Sequence, residues 1–514
     1  MSVACVWGFA VVGVDALAVR VEAHARSGLP GVTIVGLPGA AVREAHERIR
    51  SAAASSGVPL PTRRITVNLS PGDLPKDGPG FDLPVALAVL TACGYLPGGC
   101  LSGVAAVGEV SLEGSVRPTR GILSVAESAS RLRMGLLLVP MEGLPVASEV
   151  NRIPVAGVRT LAEAVSVLKD ETQRARIVAR GERWLRMRTE DGEAEDDGAC
   201  DLSEVMGHHQ AKRALEIVAA GGHHLLMVGA PGSGKTMLAR RLAGILPPFT
   251  REEALDVARV WSAAGLRDAG TGLPKTRPFR APHHSASRVA LVGGGAGLRP
   301  GEVSLAHRGV LFLDELPEFS RDALEALRQP LEERQVVISR RTGSSSFPAA
   351  CTVVAAMNPC PCGYLGHAHK QCHCSAASVQ RYRNRISGPL LDRMDAFIEV
   401  PPLALAELDA AGRSEPSSEV AKRVAVAREF AKERATGRVG NASMSLECRE
   451  GLTDSARLLL REALVSESLS GRGYVRVVGV ARTIADLDCE MVVRGEHAAE
   501  ALALRVDYQR LSLG

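Results

Sequence analysis

The residues Gly229-Ala230-Pro231-Gly232-Ser233-Gly234-Lys235-Thr236 carry the clearest chemistry in this chain. The spacing G-x-x-x-x-G-K-T suits a polyphosphate. Its glycines let backbone N–H groups close around phosphate oxygens, and a helix beginning there points its positive end at them. Lys235 is suited to the β- and γ-phosphates, and the Thr236 hydroxyl to Mg²⁺. An apolar run, Leu225 to Val228, reads as a strand before the loop, and Met237 to Ala243 reads as a helix after it. Strand, glycine-rich loop and helix is the context this chemistry needs, which argues against a chance glycine-rich turn. The chain is read as a binder of ATP or GTP.

Three further groups follow downstream. Gly309 to Glu315 is an apolar strand ending in two carboxylates. Asp314 is placed to hold Mg²⁺ through water, and Glu315 to orient and activate the attacking water. A second apolar run, Cys351 to Ala356, delivers Asn358, a polar residue suited to sensing the γ-phosphate. Directly after it come Cys360 and Cys362, then Cys372 and Cys374. Four thiolates in two close pairs can complete a tetrahedral Zn²⁺ shell, although C-x-C is tighter than the usual knuckle. His367, His369 and His373 are candidate substitutes, and a redox pair or buried cysteines are the alternatives. The adjacent His283 and His284 diverge if the segment is extended, so a structural or substrate-contact role is read for them rather than a shared metal.

Several elements must position these groups. At 514 residues the chain exceeds a single core and suggests about three domains. Its 46% hydrophobic and 23% charged residues are those of a globular protein. With 3% aromatics, a grip on nucleic acid has to rest on Arg, Lys and backbone, and a net charge of +4 alone does not argue for a polyanion. No run of about twenty apolar residues predicts a membrane span. Met1 to Phe9 lacks the basic start of a signal peptide and reads as a first strand. A cytoplasmic setting is expected, so the eleven cysteines are not read as a disulfide framework. Residues 1–175 mix strands (Val32 to Val35, Ile65 to Leu69) with a helix (Ala41 to Arg50). Thr189 to Asp201 holds seven carboxylates and no base, which makes 176–201 a solvated acidic linker. A nucleotide-binding core over 202–402 and a helical region over 403–514 complete the expected order.

Two stretches of the first domain, Pro75 to Pro84 and Gly108 to Pro118, resemble the proteolytic domain of Lon proteases. Where Lon carries its nucleophilic serine this chain has Gly80, and where Lon carries its lysine it has Leu123. A serine–lysine dyad needs both groups. The domain is therefore read as Lon-like without peptidase chemistry, with Lys76 as a solvated charge. Farther on, Arg277 to His284, Pro300 to His307, Asn358 to Gly363 and Ser387 to Asp395 resemble the YifB/ComM family of magnesium-chelatase-like AAA+ ATPases, along essentially the whole chain. The resemblance implies an α/β protein: a Lon-protease-like α+β domain, a P-loop AAA+ core with a parallel sheet, and a helical lid. It implies ATP and Mg²⁺ as cofactors, a homo-oligomer in a hexameric ring, and a motor acting on single-stranded or branched DNA. Branch migration in natural transformation and recombination is the family role; a chelatase-like or protein-remodelling ATPase is the alternative. Arg393 is implied as an arginine finger acting on the neighbouring subunit. Arg472 is implied as the second sensor, with Arg476 and Arg482 as alternates. Two hairpins are implied, one around Val289 to Leu298 and one turning at Val337 to Gly343. There Arg340 and Arg341 are DNA phosphate contacts or an exposed basic turn.

Overall fold

The computed structural model describes residues 3–29, 31–58, 60–61, 63–150, 152–190, 200–266, 272–295, 298–340, 343–367, 370–402, 415–436, 451–466 and 469–505. The chain forms two units. One comprises Met1–Glu195, Ala254–Pro274 and Val337–Phe347; the other comprises Asp196–Glu253, Lys275–Val336 and Pro348–Gly514.

In the first unit, buried and exposed side chains alternate along much of β1 (Ala4–Val12) and β2 (Asp15–Arg26), giving each strand a core face. They form an antiparallel hairpin with Val12 opposite Asp15, turned through Gly13 at φ +65°. That left-handed backbone suits glycine. With β3 (Gly31–Val35), β4 (Arg64–Ser70), β5 (Val104–Ala106), β6 (Leu136–Pro140) and β7 (Val155–Val158) they build a mixed seven-stranded sheet. Its order is β3-β4-β2-β1-β5-β6-β7. The helix Asp82–Ala92 is buried along nearly its whole length and has no polar stripe, as a helix inside a core must be. Its leading carboxylate, Asp82, is buried and held by two Arg48 nitrogens at 2.8 Å and the Val110 N–H at 3.2 Å. Burial still pushes its pKa up.

Three expectations need correction here. Lys76 is fully buried, not solvated: its ammonium donates to the Pro71 carbonyl, and desolvation draws its pKa down. The helix Glu171–Glu190 runs through residue 176, so the acidic linker cannot start there. Residues 191–199 of that linker lie outside the described residues. The core is also not continuous over 202–402, because 254–274 and 337–347 fold into the first unit. There Leu255 and Ala258 join an apolar cluster with Leu123 and Val146, and Arg259 pairs with Glu127 at 3.0 Å. The hairpin Gln335–Arg340 with Gly343–Pro348 buries Phe347, and Gly13 leaves room beside Ser345 and Phe347.

The second unit is organised by five parallel strands: β8 (Leu225–Val228), β9 (Phe279–Arg280), β10 (Val310–Leu313), β11 (Thr352–Met357) and β12 (Ala396–Glu399). Their order is β9-β10-β11-β8-β12. β8, β10 and β11 are buried at every position, as expected for parallel strands covered on both faces. The helices His209–Gly221 and Lys235–Ile245 share that core. The helices Asp454–Val465, Gly471–Leu487 and Gly495–Ala503 build a separate apolar cluster toward the C-terminus. After the short helix Arg288–Val292, Gly293–Gly294 pairs antiparallel with Arg299–Pro300, forming a small hairpin in the stretch expected to hold one. Among the described residues no helix is long and apolar enough to cross a membrane.

Candidate functional site

The strand order decides which groups meet. Because β11 lies between β8 and β10, Asn358 emerges between the glycine-rich loop and the Asp314–Glu315 pair, all at the carboxyl edge of the sheet. Open parallel sheets bind ligands at that edge. The loop is shaped by Gly232 at φ +79° and Gly234 at φ +87°, which turn the chain into the helix Lys235–Ile245. A Cβ at Gly229 would lie 2.3 Å from the Val400 carbonyl oxygen and 2.7 Å from Ser233 Oγ, so only glycine fits.

Lys235 is buried, its Nζ donating to the carbonyls of Gly229 at 2.7 Å and Ala230 at 2.9 Å, and to Asn358 Oδ1 at 3.3 Å. Burial lowers its pKa, opposed by the charges of Asp314 and Glu315. Thr236 Oγ1 donates to Asp314 Oδ2 at 2.9 Å, joining the hydroxyl and the carboxylate suited to a divalent cation. Among the described residues Ser233 Oγ is buried without a hydrogen-bond partner, a polar atom whose need a phosphate oxygen would meet. These residues fit a Mg²⁺–nucleotide. Glu315 stands next to Asp314 with φ +51°, a strained backbone for a residue with a side chain, and its N–H donates to Asp314 Oδ1 at 3.0 Å.

Comparison with known proteins agrees with this geometry. Residues 201–408 match the family profile "Magnesium chelatase, subunit ChlI", residues 21–143 match "Subunit ChlI of Mg-chelatase", and 414–505 match "Magnesium chelatase, subunit ChlI C-terminal". The chain is 42% identical to the protein YifB of Salmonella typhimurium, over 98% of this chain and 97% of that one. It is also 42% identical to the competence protein ComM of Haemophilus influenzae, over 98% of each. The chain belongs to the YifB/ComM family of magnesium-chelatase-like AAA+ ATPases. A shorter similarity, 34% identity over 29% of this chain, links it to the Lon protease of Chloroflexus aurantiacus. At the two positions that the Lon resemblance assigns to the dyad, this chain carries Gly80 and the buried Leu123.

Among the described residues, no contact joins the other residues singled out by resemblance to the YifB/ComM family to the phosphate loop. Arg393 is buried within its own chain: Nε donates to the Arg328 carbonyl at 3.1 Å, and Nη2 meets Glu332 at 2.5 Å. Arg472 is exposed in the first turn of the helix Gly471–Leu487, and no described contact joins it to the phosphate loop. Its alternates are engaged elsewhere. Arg476 pairs with the buried Asp395, and Arg482 with Asp486 at 3.1 Å. Arg340 ends a strand of its hairpin, while Arg341 lies outside the described residues.

The four clustered cysteines converge. Their sulfurs all lie within 4.8 Å of one another, with Cys360–Cys362 at 3.4 Å, Cys360–Cys372 at 3.7 Å and Cys362–Cys372 at 3.6 Å. Tetrahedral zinc with sulfur at about 2.3 Å requires sulfurs about 3.8 Å apart. The tight C-x-C pairs are therefore no obstacle. His367 is occupied by the Lys370 N–H at 3.2 Å, and His369 lies outside the described residues. One contact escaped the sequence reading: His284, given there a structural or substrate-contact role, has Nδ1 3.2 Å from Glu315 Oε2.

Proposed function

We propose that this chain is a Mg²⁺-ATP-driven ring motor, a hexamer of identical subunits, that acts on single-stranded or branched DNA. The observation that carries the ATPase reading is the Thr236–Asp314 contact of 2.9 Å, with Lys235, Glu315 and Asn358 on the same edge. In this reading the backbone of Gly229, Ala230, Pro231, Gly232, Ser233 and Gly234 surrounds the phosphates, with Pro231 contributing shape rather than an N–H. Lys235 meets the β- and γ-phosphates, Thr236 and Asp314 hold the metal, and Asn358 reads the γ-phosphate. Bound Mg²⁺ supplies charge neutralisation. Glu315 orients the attacking water and accepts its proton. The four thiolates of Cys360, Cys362, Cys372 and Cys374 hold a structural Zn²⁺. Arg393 of one subunit acts on the nucleotide of the next, after exchanging its Glu332 partner, and Arg472 serves as the second sensor.

The DNA assignment is supported by full-length similarity to a competence protein. The Arg340–Arg341 turn would supply sequence-independent phosphate contacts. ATPase rates measured with single-stranded, duplex and branched DNA test it. Stimulation by DNA, lost on Arg340→Ala with Arg341→Ala, is expected. Stimulation by a protein partner alone would overturn the DNA reading and leave the ATPase. In the same assay Glu315→Gln binds ATP without turnover, whereas Lys235→Ala loses binding.

A further inference from the structure

A cleft in the second unit is lined by residues that take no part in the chemistry above. It has a volume of about 510 Å³ and lies between the turn after β10 and the end of the helix Ala376–Arg383. Pro317 and Phe319, both buried, are its apolar lining. The rest is polar: Glu318, Asn384 and three arginines, Arg321, Arg381 and Arg385. Arg381, Asn384 and Arg385 recur at helical spacing, which sets them on one side of the turn. Tyr382 is buried and Arg383 donates to the Pro359 carbonyl at 3.1 Å, so the helix is anchored by its other side. Arg385 donates to Glu318 Oε2 at 2.7 Å and to the Pro317 carbonyl at 3.3 Å. Arg381 uses Nε for the Ala377 carbonyl at 3.3 Å. Among the described residues no carboxylate lies within ion-pair distance of Arg381 or Arg321. Asn384 Oδ1 accepts from Gln380 Nε2 at 3.3 Å, which leaves its amide NH2 as a further donor. Like charges four residues apart on one helical side repel, so the fold itself gains nothing from this arrangement.

We propose that this cleft is a nucleic-acid site, in which the phosphodiester backbone of a single strand lies across Arg321, Arg381 and Arg385. This rests on the DNA reading given above. Guanidinium forks match phosphate oxygens in pairs, which an ammonium cannot do. Three guanidiniums against the one carboxylate of Glu318 leave two positive charges in the lining. The volume is within the roughly 300–1,000 Å³ of sites that enclose an organic ligand, more than a single carboxylate side chain fills. Phe319 is buried, so the cleft offers bases no open ring to stack on, and its contacts are those of a backbone site that reads no sequence. Both walls lead back to the nucleotide edge. Pro317 and Glu318 follow Glu315 almost directly, and the helix is tied through Arg383 to Pro359, the neighbour of Asn358. A strand seated here therefore bears on Glu315 and Asn358 together, which gives nucleic acid a route to the ATPase.

Binding of a labelled single-stranded oligonucleotide to the full chain, with Mg²⁺ and a non-hydrolysable ATP analogue present, tests the proposal over a salt series. On a single strand each phosphate contact contributes about 0.7 to the slope of log affinity against log salt. Arg321→Ala with Arg381→Ala should lower affinity on the order of ten- to a hundredfold and flatten the slope by about 1.4, twice the single contact. Arg381→Lys keeps the charge and should keep the slope, and an oligonucleotide with abasic positions should bind as the intact one does. Should the double alanine variant not fold, Arg321→Gln with Arg381→Gln reads the same slope. The proposal is overturned by unchanged affinity and slope in the double variant, or by a loss confined to some base sequences. Tripolyphosphate that displaces the strand at equimolar concentration would make the cleft a site for free polyphosphate and overturn it as well. So would a double variant that binds the strand normally but loses its oligomeric mass in light scattering, which would give the cleft to carboxylates of a second copy. A wild-type chain that binds no oligonucleotide removes the DNA reading and the proposal with it. Strand binding lost in Arg340→Ala with Arg341→Ala, yet intact in the cleft variant, removes the proposal alone.

Discussion

His224 illustrates how a single buried side chain sets the acid limit of the second unit. Its Nδ1 accepts the Val353 N–H at 3.1 Å, and its own N–H donates to Asp395 Oδ2 at 2.7 Å. A protonated Nδ1 could not accept, and burial brings the pKa from 6.5 down to about 4. In the unfolded chain the same histidine binds its proton near the ordinary value. Above pH 6.5 it is neutral in both states and has no effect. As pH falls toward 4 the unfolded state gains protons, and the native state loses up to about 3 kcal/mol. Asp395, kept below the usual carboxylate range against its desolvation by His223, His224 and Arg476, weakens in the same direction. Denaturation midpoints at pH 5 and 7.5 should therefore differ. His224→Asn, which keeps an acceptor but not the titration, should reduce that difference, and an undiminished gap would count against His224. Residues of this kind are poorly legible in a sequence. Lys235, Thr236, Asp314 and Glu315 were readable because motif and flanking strand are local. Lys76 and His224 were not, because burial is decided by distant strands.

At the scale of elements, the turn carrying Cys360 and Cys362 packs against the nucleotide loop. Gly363, at φ +83°, is so close that a Cβ there would lie 2.5 Å from Pro231 Cδ and 3.8 Å from Asn358 Cγ. The Pro359 carbonyl is bound by Arg383 at 3.1 Å. A metal in the thiol cluster would thus brace both the loop and Asn358. Protein purified in metal-free buffer with its thiols reduced should contain about one zinc per chain. Replacing Cys372 and Cys374 by serine should remove that zinc and weaken ATP binding several-fold. Zinc-free protein with reduced thiols and normal ATPase would dismiss the brace. The spacing of the four cysteines disclosed their cluster, but not its neighbour, since Pro231 lies far away along the chain.

For the molecule as a whole, the trans role of Arg393 is the assignment that most needs a test, because its guanidinium is engaged with Arg328 and Glu332 of its own chain. Loss of a finger costs on the order of a thousandfold in turnover with little effect on binding. Arg393→Ala and Glu315→Gln proteins should each be inactive alone. Mixed, they should recover measurable ATPase at interfaces that pair an intact Glu315 with an intact Arg393. Wild-type turnover by Arg393→Ala alone would defeat the shared site. Domain order along the chain was legible only in outline. The helix after Arg251 and the hairpin before Pro348 are local patterns, but Ala258 covering Leu123 is a partnership across more than a hundred residues. That interleaving bears on biosynthesis. Chains emerge from the ribosome N-terminus first, and domains generally fold as units as they appear. Here the first unit cannot close over Leu123 until Ala258 has been translated, nor seat Phe347 until most of the nucleotide-binding residues have already left the exit tunnel. The N-terminal unit is thus made first and finished late, and its uncovered apolar surface is what a nascent-chain chaperone would meet in the interval.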